Sequence, residues 1–151
     1  MLTRWLFAAG HLLALGIGLG AVWVRGRALR AELDGAGLRR VFYADSWWGV
    51  AAVLWIGTGL VRAFGGLEKG RAYYLHNHLF WAKMTLLGLI LALEIGPMVA
   101  LVRWRAQLAR GELPDTRGAE RFARISFLQA GLVVLMVLAA TAMARGYGSA
   151  G

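Results

Sequence analysis

The sequence contains no cysteine, which excludes a disulfide-built secreted module, a Cys-ligated zinc site and an iron–sulfur cluster. Charge is scarce as well. Only 17% of the 151 residues are charged, against roughly a quarter in a soluble domain. Acidic side chains are the rarer sign, 8 against 17 Lys plus Arg. The charges fall in short runs between long uncharged stretches, a pattern foreign to disordered chains. No catalytic serine motif occurs, and no two histidines stand four apart on one helix face, as a helical zinc pair would.

What is present is apolar. The set AVILMFWYC makes up 59% of the chain, and mean hydropathy is +0.57. A transmembrane helix needs about 20 mostly apolar residues, and four segments qualify: 5–24, 41–61, 75–102 and 122–144. The first carries no formal charge and the second only Asp45. The third carries only Lys83 and Glu94, and the fourth only Arg124 near its start. The first segment is too long for a signal-peptide core, and no soluble-type sequence follows it, so it is expected to be retained. The expected fold is therefore all-α: a polytopic, four-helix transmembrane bundle forming one integral membrane domain over residues 1–151.

The formal net charge of +9 would suit nucleic acid, but its distribution suits a membrane. Arg25, Arg27, Arg30, Arg39 and Arg40 separate spans one and two. Arg103, Arg105, Arg110, Arg117, Arg121 and Arg124 separate spans three and four. The opposite side holds Arg4, Arg62, Lys69, Arg71 and Arg145. By the positive-inside rule both long loops are expected in the cytoplasm and both termini in the periplasm of a bacterial inner membrane. The basic loops would attract anionic lipid, and no nucleic-acid partner is expected. Trp5 and Trp81 fall near the outer interface; Trp23, Trp47, Trp48 and Trp104 fall near the inner one, as interfacial anchors do.

The two basic loops resemble each other. Val24-Arg25-Gly26-Arg27-Ala28 matches Val102-Arg103-Trp104-Arg105-Ala106, and spans two and four end in Arg62-Ala63-Phe64-Gly65 and Arg145-Gly146-Tyr147-Gly148. Two tandem helical hairpins in the same orientation would produce this pattern. So would the selection of similar residues in any two cytoplasmic loops. Gly16 and Gly20 have the GxxxG spacing expected of a close helix contact.

Ionisable residues inside hydrocarbon are costly unless paired or hydrated, so each marks a candidate site. At ~100° per residue, His76, Lys83 and Glu94 fall within about 20° of one another on span three, because their separations are 7 and 11. Depth sorts the polar residues into two layers. His11, roughly 9 Å inside span one at 1.5 Å per residue, forms an outer-leaflet group with Lys83, His76 and Thr58. Asp45, Glu94, Ser126 and Gln129 form an inner-leaflet group. Pro97, which lacks a backbone donor, is expected to kink span three. A histidine within a four-helix bundle suits an axial metal ligand, with His11 the metal-binding nitrogen and Lys83 or His76 a second ligand. A proton relay through Glu94 and Asp45 is the competing use.

The stretches AGHLLALGIGLG around His11, FYADSWWG around Asp45, and GLEKG followed by LFWAKM resemble a bacterial family of predicted four-helix membrane proteins whose domain has no assigned function. More distantly, the His of span one and the Ala-Lys-Met of span three resemble two groups: the four-helix, haem-binding protoporphyrinogen oxidases and the copper-resistance membrane proteins. The oxidase resemblance implies essential roles for His11 and Lys83. That family carries a His-rich stretch after its Lys, where this chain reads TLLGLILALEIGPM, so the resemblance implies at most a bound tetrapyrrole.

Three function classes follow. In the first, the bundle binds haem b or another tetrapyrrole for a redox or tetrapyrrole-handling task. In the second, the chain is a non-catalytic accessory subunit of a larger respiratory or photosynthetic membrane complex, or a homo-oligomer. In the third, it is a small proton or metal-ion transporter. No reaction follows from the residues alone.

Overall fold

The apolar segments form four helices: α1 (Leu2–Leu29), α2 (Gly35–Phe64), α3 (His78–Ala109) and α4 (Ala119–Ala144). A computed structural model describes residues 1–65 and 75–148. Lys69 and Arg71 of the charge comparison lie outside these. Each helix is long and apolar enough to cross a membrane, and all regular elements among the described residues are helical. The helices overrun the hydropathic segments, and side chains cap the starts of α2 and α3.

Asp34 opens α2: its carboxylate accepts from the Gly37 amide at 2.7 Å, which satisfies one of the orphan donors of the first turn. Gly37 has to be glycine here, since a Cβ would collide with the Glu32 carbonyl. Asn77 does the same for α3, accepting from the Leu79 amide at 2.9 Å. Its side-chain amide also donates to the Tyr147 carbonyl, and His78 N donates to the Gly148 carbonyl. The start of α3 is thereby tied to the chain just beyond α4. Between α3 and α4, Gly111 takes a left-handed φ of 78°, the usual way to leave a helix. In that loop Arg110 and Arg117 hold the carboxyls of Glu112 and Asp115 below their ordinary range. α3 runs through Pro97 as one continuous helix.

Around the bundle, α1 packs against α2 and α4, and α4 packs against α3. α2 and α3 barely touch. The molecule is thus two antiparallel hairpins, α1–α2 and α3–α4, joined mainly along α1 and α4. Three apolar layers fill the interior. A central layer contains Ala14, Val22, Trp48, Trp55, Ile90, Val133 and Met136. A second, at the end bearing the two arginine-rich loops, contains Leu29, Leu38, Val41, Leu101, Trp104 and Ala123. A small third layer of Phe80 and Met143 closes the opposite, terminal end. The outward faces are apolar too: Leu13 is 66% exposed, Val53 72% and Leu138 60%. In water such a surface would drive association, whereas in lipid it meets a matching solvent.

Two expectations need correction. Gly16 and Gly20 lie on the open outer face of α1, and a Cβ at either would meet nothing. The α1 glycines at close contacts are Gly18, where a Cβ would lie 3.3 Å from the Ala51 methyl, and Gly26, where it would lie 2.8 Å from the Phe127 ring. Gly26→Val is therefore expected to cost about 1–3 kcal/mol through overpacking at the α1–α4 contact. Gly16→Val should stay within about 0.5 kcal/mol of the parent protein. Unfolding of both variants in mixed micelles measures this, and equal losses would contradict the packing.

The second correction concerns tryptophan. Trp23 and Trp47 face outward, but Trp48 and Trp104 are buried in the bundle. Both sit on the inner sides of their helices, so they pack inside and do not anchor in lipid headgroups.

Candidate functional site: a saturated ion network below an inter-hairpin cavity

On α1, Ala14, Gly18, Ala21 and Arg25 are all buried, spaced 4, 3 and 4 apart as a bundle interior requires. Arg25 therefore follows the core stripe inward. It is 0% exposed. Its surroundings come from every other helix. Nη1 donates to Asp45 Oδ1 of α2 at 2.8 Å and to Glu94 Oε1 of α3 at 2.7 Å. Nη2 donates to Glu94 Oε2 at 2.9 Å and to Gln129 Oε1 of α4 at 2.7 Å. Nε donates to Ser126 Oγ at 3.0 Å. A guanidinium has five N–H donors, and these five contacts use them all, with Glu94 gripped in the bidentate fork that carboxylates prefer.

The acceptors are equally engaged. Glu94 Oε2 also takes the Trp48 indole N–H at 3.1 Å and the Gln129 amide at 2.8 Å. Gln129 spends its second amide contact on the Ile90 carbonyl, at 3.1 Å. Asp45 Oδ2 accepts from Arg105 at 2.8 Å, and Arg105 reaches the Phe42 carbonyl as well. Two cations, Arg25 and Arg105, thus face two carboxylates, Asp45 and Glu94. Among the described residues no buried side-chain nitrogen or oxygen lacks a partner. The network lies between the central apolar layer and the layer at the arginine-rich end, as Val22, Arg25 and Leu29 show in order along α1. In such surroundings an unpaired charge would cost several kcal/mol.

Asp45, Glu94 and Gln129, chosen from sequence as one group, touch through this arginine. Arg25 and Arg105, which the sequence places among the loop charges, and Trp48, which it places at the interface, complete the site. Arg25 and Arg105 had been assigned to the loops because they lie just past the uncharged stretches. The missed signal was the 4-3-4 spacing, together with two carboxylates in one layer that had no assigned countercharge.

The terminal half of the bundle is different. There the hairpins separate around a cavity of about 400 Å³. His11, Leu15, Trp55, Gly59, Lys83 and Met84 are among its lining residues, with Arg62 at its α2 side. His11 Nδ1 lies 2.9 Å from Thr58 Oγ1, while that hydroxyl is 2.7 Å from the Leu54 carbonyl. The hydroxyl has one hydrogen; when it is directed at the carbonyl, the hydroxyl accepts from His11 and Nδ1 carries the proton. The neutral ring then has its lone pair on Nε2, the tautomer that a metal ligand needs. Gly59 gives the ring room, since a Cβ there would lie 3.2 Å from His11 Cε1. Trp55 flanks it at 6.2 Å between centroids.

His11 and Lys83 thus share one cavity. His76 is exposed and is not among the described lining residues. Asn77, with an extended backbone (φ −102°, ψ 118°), caps α3 after it, so the helical phase joining Lys83 to Glu94 does not extend back to His76. Among the described residues no group of three or more His, Asp or Glu is placed to hold a metal ion.

Four membrane-length helices around a buried, charge-balanced network, with a cavity beside it, define a polytopic helical membrane protein. The chain belongs to the predicted membrane protein family DUF2214, whose model matches residues 3–148. Comparison with curated proteins and with solved structures yields no match.

Proposed function

We propose that this chain binds a tetrapyrrole, with haem b the first ligand to test, in the cavity between its hairpins. The observation that carries the reading is His11. It lines the cavity with Nδ1 at hydrogen-bond distance from Thr58, and with the proton on Nδ1 the ring would present Nε2 as the ligating nitrogen. Leu15, Trp55, Met84 and Leu87 supply apolar walls, and Lys83 and Arg62 supply cations suited to the carboxylates of such a ligand. Lys83 lines the same cavity. When bound, haem iron supplies redox or ligand-exchange chemistry. The chain's own part is to hold the imidazole in one tautomer, fix the ligand's orientation and exclude water.

The test is an optical spectrum of protein purified in detergent from cells with ample haem supply. A stoichiometric Soret band is expected, and His11→Ala should abolish it with helicity retained. Thr58→Val should weaken haem affinity by about 10–100-fold, the usual effect of removing a ligand's orienting partner. Absence of a Soret band in the parent protein would end this reading. Co-purification of stoichiometric partner chains would then favour the accessory-subunit reading. A proton relay through Glu94 and Asp45 has little support from the geometry, because a relay needs reorientable groups and both carboxylates are held by several fixed contacts.

For orientation we propose cytoplasmic arginine-rich loops and periplasmic termini in a bacterial inner membrane. Withdrawing Arg25 and Arg105 from the loop count leaves nine basic residues against five, so the bias persists. Because the parent sequence has no cysteine, labelling is clean. Thr3→Cys should react with an impermeant maleimide in whole cells and Ala36→Cys only after lysis; the reverse pattern would invert the topology.

A further inference from the structure

The two halves of the bundle are held together very unequally. At the arginine-rich end the hairpins are clasped by polar bridges. Arg25 ties α1 to α3 and α4, and Trp48 and Arg105 tie α2 to α3. Phe127 seals α1 against α4, with Trp23 edge-on at 4.9 Å and a Cβ-free approach at Gly26. At the terminal end the described ring and apolar contacts between the hairpins are small. Phe64 meets Phe80 edge to face at 6.3 Å, and Ala63 and Met84 pack on the Phe80–Met143 pair. Between clasp and end, α2 and α3 scarcely meet, and the cavity occupies the space.

Several lining residues also face outward. Leu12 is 62% exposed and Leu60 51%, although both line the cavity. They mark its rim. Leu12 lies seven residues inside the apolar span that begins at Trp5, about 10 Å along the axis at 1.5 Å per residue. That depth is within the hydrocarbon layer, and the neighbouring outward side chains, Leu13, Val53 and Leu54, are apolar. An opening at this level meets lipid and not water.

We infer that the cavity is filled sideways, from the bilayer, through the seam between the hairpins, and that its ligand is a membrane-dissolved molecule with an apolar body. The apolar body follows from Leu15, Trp55, Met84 and Leu87 in the lining. The arginine-rich clasp is the fixed end of this arrangement and the Phe64–Phe80 pair the yielding end. The inference rests on the cavity being a binding site, as proposed above, but not on the ligand being haem.

The experiment uses the full chain in phosphatidylcholine vesicles with a nitroxide label at Met84→Cys, inside the cavity, or at Ile90→Cys, in the sealed core, where the parent is 2% exposed. Collision with dissolved oxygen reports lipid access, and collision with a nickel chelate reports water access. Oxygen access at Met84 should exceed that at Ile90 several-fold, with the chelate excluded. Ala63→Trp, which fills the seam, should lower it toward the core value. Ile56→Cys, on the α2 wall, repeats the measurement should Met84→Cys fold poorly. Chelate-dominated collisions would place the mouth in water, and core-like values would mean a sealed cavity; either overturns the lateral route. Because no porphyrin is present, this outcome is independent of the Soret test. Lateral access without a Soret band would keep the route and discard haem.

Discussion

Replacing Arg25 by alanine is expected to destabilise the bundle by about 3–5 kcal/mol, the cost of removing one partner from a buried ion pair. The loss comes less from the missing attraction than from what remains. Asp45 would keep Arg105, but Glu94 would be left in the interior with only the Trp48 and Gln129 donors. Arg25→Lys should recover little of this, because an ammonium has three donors on a flexible stem and cannot reproduce a bidentate fork plus three further contacts. Arg105→Ala should cost about 1 kcal/mol or less, since that side chain is 37% exposed and its pair is largely screened. Reversible unfolding in mixed micelles measures the series. If Arg105→Ala proved as costly as Arg25→Ala, the network would not be centred where the geometry centres it.

The series also shows why the fold was easier to read than the site. Four uninterrupted apolar runs can be satisfied only by helices that bond their own backbones, so the helical architecture follows from hydropathy alone. The pairing of residues across helices depends on rotation about each axis, which hydropathy does not specify. On α1, counting charge per segment placed Arg25 in a loop, whereas counting the small residues Ala14, Gly18 and Ala21 places it in the core. On α3, the phase from Lys83 to Glu94 covers helix throughout. Extending it to His76 crosses Asn77, where the backbone is no longer helical. Tryptophan was ambiguous for a related reason. Trp47 and Trp48 are adjacent, so ~100° separates them, and an interfacial label that suits one cannot suit the other. His11 was visible as a polar residue at depth, but its orientation by Thr58 was not, because the two lie 47 residues apart and meet only through the antiparallel pairing of α1 with α2.

An apolar replacement of the whole charge set should be far milder than the loss of Arg25 alone. In Arg25→Met, Asp45→Leu, Glu94→Leu the carboxylates that would have been stranded disappear with their partner. A buried ion network exchanged for side chains of similar volume is often neutral or even stabilising by about 1–4 kcal/mol, because desolvation no longer has to be offset. Two features limit the recovery here. Gln129 and Ser126 lose Arg25, although Gln129 keeps the Ile90 carbonyl and Ser126 its own Phe122 carbonyl. Trp48 loses its acceptor and keeps an indole N–H in an apolar layer, at about 1–3 kcal/mol for one unsatisfied donor. Arg105, partly exposed, can swing toward the headgroups. The triple variant is therefore expected to regain at least half of the stability lost in Arg25→Ala. It should also pair its hairpins less specifically, visible as broader amide resonances at the arginine-rich end, because directional contacts would have given way to interchangeable apolar ones. A triple variant as unstable as Arg25→Ala would show that mutual attraction, and not the avoidance of stranded charge, makes Arg25 indispensable. A triple variant with sharp resonances would show that the clasp is dispensable for setting how the hairpins pack.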